Sequence, residues 1–275
     1  MRKTATASEL EANWVIKCIV IERKSECCHN PHTSNQQRKE WMDLLNKFSS
    51  TKIGRGLSPV YRRVRTTYRE YFFRHAMKMI LADSLCLKSD SKVMSEFIYG
   101  WGNEGYSESG EYISDCAGFA RKANGPILEC GSGLTTLVVG LIAKQLNNTV
   151  WSLEDNQYWG RRVGKYIKRY QIDSVKLDIN PLKDYGEFFW YEPPLHIMPG
   201  GFTLVICDGP VRVTKGGRYG LLPIMKKRLK SGCIILLGGA ISEKEQSIVQ
   251  RWTREIRANY EIRGSKHPYF VITLS

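Results

Sequence analysis

GPILECGSGLTTL, residues 125–137, is the stretch whose reading decides the fold. A Gly-Pro pair opens it, the short apolar run of residues 126–130 follows, and Gly131 and Gly133 then lead into the helical pattern LTTLVVGLIAKQL. A strand that empties into glycines and then a helix brings a ligand against backbone amides at a helix N-terminus. Outward from this point, β-rich apolar runs at 126–130, 150–154, 175–178, 202–208 and 233–238 alternate with helical stretches. Such alternation predicts βαβ units on a parallel sheet covered by helices on both faces. The final YEIRGSKHPYFVITL, residues 260–274, gives two strand-like runs around a short turn, an antiparallel hairpin. The expected fold is α/β: a Rossmann-like, doubly wound, mostly parallel sheet with a C-terminal antiparallel hairpin, preceded by a mainly helical N-terminal region.

The chain has 275 residues, 42% hydrophobic and 25% charged, which is the ordinary globular range and is long enough for a full core. We divide it into an N-terminal, mainly helical region (1–96), of which 1–50 carry no clear pattern, and a sheet domain (97–275). The longest early apolar run, residues 14–21, is interrupted by Lys17 and is too short to span a bilayer, so a cytoplasmic chain without a membrane span is expected. Of eight cysteines, three fall inside strand-like runs, and we read buried free thiols. Cys27, Cys28, His29 and His32 are metal-ligand types, but no second CxxC pair exists, so a polar loop is the reading and no metal site is assigned.

Net charge is +14, divided as 20 basic and 14 acidic residues before Pro126 and 21 and 13 from there on, so no basic tail exists. The sharpest excess lies at 52–78, with eight Lys or Arg against Glu70 alone. There Tyr61, Val64, Tyr68, Tyr71, Phe72, His75 and Met79 recur at helical spacing. We expect a core-facing stripe under a solvated basic face rather than a nucleic-acid or membrane surface.

The glycine loop departs from a dinucleotide fingerprint: Thr136 stands at the third glycine, and the acid Glu129 precedes the first. A carboxylate there repels a pyrophosphate but suits a ligand carrying an ammonium, as S-adenosylmethionine does. Glu154 ends the next strand 25 residues later, close to the spacing at which an acid takes ribose hydroxyls.

On these residues the sequence resembles the class I S-adenosylmethionine-dependent methyltransferases. ILECGSGLTT is similar to their first motif, VWSLED to their second strand with its ribose-binding acid, and FTLVICDGP to the fourth strand with an aspartate beside the transferring methyl. The likeness spans about residues 97–275 and is sharpest to a bacterial branch with DGP, GGRYGLLP and a later helix bearing tryptophan, here Trp252. It implies cofactor contacts from Glu129, Gly131, Gly133 and Thr135, ribose contacts from Glu154, and positions near adenine for Asp178 and near the methyl for Asp208. Asp208 is the candidate base. Arg218 and Tyr219, on the following glycine-rich loop, are candidates to close over an acceptor, Arg218 suiting a carboxylate or phosphate. Tyr99, Trp101, Asn103 and Tyr106 are set to cover the cofactor or to pack between regions.

Gly238 and Gly239 stand where the resembled branch carries two aspartates, and Ser242 where it carries an arginine. Carboxylates can hold a divalent cation and glycines cannot, so metal-independent transfer is expected. The rival readings are a non-catalytic protein that keeps an adenosyl pocket, a nicotinamide-dependent oxidoreductase, and nucleic-acid binding through 52–78. The acceptor is not legible; a small molecule or glycan is favoured over nucleic acid.

Overall fold

The computed structural model describes residues 58–102 and 109–275. The Cys27–His32 cluster, Asn103 and Tyr106 lie outside the described residues. Contacts divide the chain into two units, Met1–Arg65 and Thr66–Ser275, and the second carries the sheet. The division expected at 96/97 lies within the helix Lys92–Trp101 of this second unit.

That unit opens on the larger part of helix α1 (Ser58–Ala82), then α2 (Lys92–Trp101) and α3 (Gly110–Lys122). Serines start the last two: Ser91 Oγ accepts from the Met94 amide at 3.1 Å and Ser109 Oγ from the Tyr112 amide at 3.2 Å, each satisfying an orphan donor of the first turn. Among the described side chains of α1, which do not include Tyr61 and Val64, the buried ones are Phe73, Ala76, Met77 and Ile80, spaced i, i+3, i+4, i+7, whereas Tyr71 and Met79 are exposed. The expected stripe was thus displaced around the helix. Ala76 is a weak hydrophobic signal, and the flanking tyrosines drew the reading toward themselves.

Among the described residues nine strands follow: β1 (Ile127–Cys130), β2 (Val150–Glu154), β3 (Val175–Ile179), β4 (Lys183–Asp184), β5 (Phe189–Trp190), β6 (Phe202–Cys207), β7 (Leu229–Gly238), β8 (Ala258–Arg263) and β9 (Tyr269–Leu274). Helices α4 (Leu134–Gln145), α5 (Gln157–Arg169), the short α6 (Leu221–Met225) and α7 (Glu243–Glu255) are interleaved among them. Seven strands form one sheet in the order β3-β2-β1-β6-β7-β9-β8, while β4 and β5 pair separately. Strands β3, β2, β1, β6 and β7 are parallel; β9 runs antiparallel between β7 and β8. All five expected strands and the closing hairpin are present, so the α/β fold with its C-terminal antiparallel hairpin is the observed one.

Both sheet faces are covered, which is why β1 is buried at each of its four residues. One face packs Ile127, Val150, Leu204 and Leu236 against α1 to α4, with Phe73, Phe97 and Trp101 filling the space between helices. The other packs Leu128, Val205, Ile235 and Phe270 against Trp252 of α7 and against Phe188, Trp190, Tyr191 and Met198. These last four come from the β3–β6 connection, where the small β4–β5 hairpin covers the sheet. The sequence pattern assigned that connection no element, because two-residue strands carry too little periodicity to register.

β1 is the hinge of the topology: the chain leaves it toward β2 on one side and returns through β6 on the other. Cys130 and Cys207 are partners in register, so the loops at Gly131 and Asp208 diverge from adjacent strand ends. In open α/β sheets this switch point at the carboxyl edge is where ligands bind.

Candidate functional site

At the switch point the glycine loop is built from beneath by Glu129. Its carboxylate is wholly buried and accepts from Thr135 Oγ1 at 2.7 Å, Thr136 Oγ1 at 2.6 Å and Ser152 Oγ at 2.6 Å. The Gly133 amide in turn donates to Thr136 Oγ1 at 2.7 Å. Burial pushes the Glu129 carboxyl up to about 7, against the three hydroxyls that favour its charge, and the negative Asp208 adds to the rise. This is not the open carboxylate expected to face an ammonium: with no exposed surface, Glu129 ties β1, β2 and the first turn of α4 into one support. Thr135 is likewise buried and spends its hydroxyl on Glu129.

Glu154 holds the loop from the side. One carboxylate oxygen accepts from the Ser132 amide at 2.9 Å and Ser132 Oγ at 2.6 Å, and the other from the Asn156 amide at 2.9 Å. Burial raises its pKa despite these donors. Trp159, from α5, completes the clamp by donating from Nε1 to the Ser132 carbonyl at 2.6 Å. Ser132, Ser152 and Trp159 were not singled out in the sequence; hydroxyls at the loop centre and on the neighbouring strand were the available signal.

The two loop glycines have different reasons to be glycine. Gly131 has φ +88°, and a Cβ there would meet the Gly209 backbone nitrogen at 2.8 Å. Both the Asp208 and Gly209 amides donate to the Cys130 carbonyl, at 2.9 and 2.6 Å, so the β1 and β6 loops are bonded face to face. Gly133 has an extended φ of −178°, and a Cβ there would point into open space. Gly133 therefore marks the accessible side of the loop.

Asp208 follows directly on β6 rather than ending it, with its side chain 29% exposed. Arg218 lies beside it, 4% exposed, donating from Nη2 to Asp208 Oδ1 at 2.9 Å and to the Asp208 carbonyl, and from Nη1 to the Gly238 carbonyl at 2.8 Å. Glu245, fully buried in the first turn of α7, places Oε1 3.9 Å from Arg218 Nη1, and neither of its oxygens has a hydrogen-bond donor among the described residues. Burial opposes the guanidinium charge, but Asp208 and its neighbours outweigh it and Arg218 is raised above the ordinary arginine value. The residue expected on a closing loop is instead a buried strut between the ends of β6 and β7.

Tyr219 is directed elsewhere. Its hydroxyl donates to Glu255 at 2.8 Å, its ring lies 3.7 Å beneath the Arg251 guanidinium, and burial with the Glu255 bond pushes its pKa up to about 12. It anchors α7 rather than joining Asp208. Asp178, next to last in β3, is partly exposed and accepts from Asn180 Nδ2 at 2.9 Å, on the far side of β2 from the glycine loop. Trp101 is core, packed against Phe73, Trp159 and Tyr166, with Arg162 over its ring; Tyr99 meets Phe72 edge-on.

No protein-family model matches this chain, and no curated protein matches it. Solved structures do. The O-methyltransferase TomG of Streptomyces achromogenes, in complex with SAM, is 12% identical over 72% of this chain and 95% of its own, with a TM-score of 0.50. The SAH-bound methyltransferase PaMTH1 of Podospora anserina is 17% identical over 62% of this chain and 81% of its own, at 0.49. The O-methyltransferase of Bacillus cereus in complex with SAH is 12% identical over 74% and 91%, at 0.45. At 12% identity, the likeness to TomG shows the fold alone.

Proposed function

We propose that this protein is an S-adenosylmethionine-dependent methyltransferase that moves the methyl to its acceptor without a metal ion. One observation carries the reading: a glycine loop braced by two buried carboxylates, Glu129 and Glu154, meets Asp208 across the switch point of a sheet whose fold it shares with TomG, a SAM-bound O-methyltransferase. The cradle fits the cofactor's chemistry. Gly133 leaves its outer side open to a ligand, the first turn of α4 presents amides, Glu154 ends β2, and Asp178 stands one residue before the end of β3. When bound, S-adenosylmethionine supplies an electrophilic methyl on a sulfonium.

The chain's residues then hold and orient. Gly131 to Gly133 would carry the amino-acid portion, Glu154 the ribose and Asp178 the adenine side. Displacement at a methyl needs in-line alignment and a place for the acceptor's proton, and Asp208 Oδ2, left unbonded by Arg218, would take it. Arg218 supports the metal-independent reading. It sets a permanent cation between Asp208 and Gly238, at the strand ends where the resembled branch assembles its acidic cluster.

Calorimetric titration with S-adenosylmethionine and S-adenosylhomocysteine tests the cofactor, and labelled S-adenosylmethionine with fractionated extract tests transfer. Binding without labelled product in any fraction would favour a non-catalytic adenosyl-binding protein, a reading to which the Arg218 latch on Asp208 lends weight. Absence of binding would remove both.

A further inference from the structure

Beside Asp208, the carboxyl edge of β6 and β7 carries a second arginine with a different character. Arg212 is exposed, and its guanidinium takes no hydrogen bond or ion pair among the described residues. It is nevertheless placed: its Cζ lies 3.3 Å from where a Gly239 Cβ would be, so it rests over the bare backbone just past β7. Gly239 has φ +84° and no side chain, which is what leaves room for the planar group. The backbone behind it is fixed, because Lys244 Nζ donates to the carbonyls of Arg212 and Thr214. The residues flanking Arg212 in the chain, and the one two after Gly239, carry apolar side chains turned to solvent: Val211 at 57%, Val213 at 92% and Ile241 at 72% exposure. Single exposed apolar residues mean little, but three on the two touching loops at a ligand-binding sheet edge form a rim.

The edge is thus inverted in charge relative to one built on an acidic pair. Arg218 is buried and spent on Asp208; Arg212 is exposed and unspent. We propose that the acceptor bears an oxyanion, a carboxylate or a phosphate ester, on an apolar body, and that Arg212 recognises the charge while Val211, Val213 and Ile241 receive the apolar part. The proposal rests on the methyl-transfer reading for what happens next, but the anion site stands on its own geometry. A planar guanidinium with its donors free is suited to bidentate contact with either oxyanion.

The test uses the full chain and three probes, phenyl phosphate, benzoate and benzamide, titrated by ligand-observed NMR with and without S-adenosylhomocysteine. One or both anions should bind at least about tenfold more tightly than the neutral amide, the step expected for a charge-assisted pair. A lead for phenyl phosphate would identify the phosphate class, and a lead for benzoate the carboxylate class. Arg212→Gln should erase the discrimination at unchanged Tm. Gly239→Asp should do the same by setting a carboxylate against the guanidinium, and if that variant fails to fold, Arg212→Gln still decides. Equal or absent binding of all three probes, or discrimination that survives Arg212→Gln, overturns the proposal. Loss of the methyl-transfer reading looks different: calorimetry shows no S-adenosylhomocysteine binding while anion discrimination persists.

Discussion

Gly131 and Gly209 touch backbone to backbone: a Cβ on the first would lie 2.8 Å from the nitrogen of the second, and a Cβ on the second 2.9 Å from the Cα of the first. The β1 and β6 loops therefore close on each other through two residues without side chains, and Gly131 also holds a left-handed φ of +88°. A side chain at 131 would break this junction before it troubled any ligand. Gly131→Ala should cost roughly 1–3 kcal/mol from overpacking and φ strain, read as a lowered urea midpoint. Gly133→Ala, with open space around its Cβ and an extended φ, should leave the midpoint within about 0.5 kcal/mol and weaken S-adenosylhomocysteine binding instead. The reverse pattern would mean that the loop presents its other side to the cofactor.

The Asp208–Arg218–Glu245 cluster is costly to break. Arg218→Met removes the cation 3.9 Å from the buried Glu245, whose oxygens accept no hydrogen bond among the described residues, and should destabilise by about 3–5 kcal/mol. Adding Glu245→Gln removes the stranded charge, so the double variant should recover a large part of that loss. Chemical denaturation of the two single variants and the double variant checks it: strictly additive losses would show that Glu245 and Arg218 do not sense each other across their 3.9 Å.

Glu129 makes a pH prediction of definite sign. Its carboxyl stands at about 7 in the folded chain against 4.5 for an unperturbed glutamate, so the folded state binds the proton more tightly. The stability from this protonation is fully present below pH 4.5 and is lost as pH rises from there through 7, a change of roughly 3 kcal/mol if unopposed. Glu154 and Asp155, also raised by burial, slope the same way. The informative quantity is therefore the stability of the wild type minus that of Glu129→Gln, followed by urea unfolding from pH 4.5 to 8. That difference should fall with rising pH, and a flat line would mean that folding does not raise the Glu129 pKa.

The parallel strands were legible because each is an apolar run between turn signals, and Glu129, Gly131, Glu154 and Asp208 were legible because strand ends fix their place along the sheet edge. Direction was not. Whether Glu129 faces a ligand or the hydroxyls of Thr135, Thr136 and Ser152 depends on which way a buried side chain turns, and nothing in the local pattern encodes that. The Gly216–Gly220 segment misled for the same reason: its glycines suggested a mobile cover, yet Gly220 is glycine because a Cβ would strike Trp190 at 2.5 Å, and Arg218 is drawn inward by Asp208 and Glu245. Long-range partners made these residues what they are, and spacing along the chain carries no record of them.

Asp208 and Arg218 set the last expectation, the response to metal removal. A divalent cation at this edge would need several oxygen ligands at short distances, and one Asp208 oxygen already accepts from Arg218 while Gly238 ends β7 and Gly239 follows it. A cation would also have to approach a guanidinium held between Asp208 and the Gly238 carbonyl, which repels it. Chelation should therefore leave the methyl-transfer rate nearly unchanged, and added magnesium should not raise it. Gly238→Asp should gain no metal dependence, because its new carboxylate would meet Arg218 before it met an ion. Asp208→Asn separates the proton-accepting role from the structural one: the amide keeps the shape but loses most of the basicity, so kcat should fall by about two orders of magnitude or more while cofactor affinity changes little. If kcat and affinity fall together, Asp208 serves only to hold Arg218 in place, and the proton leaves by another route.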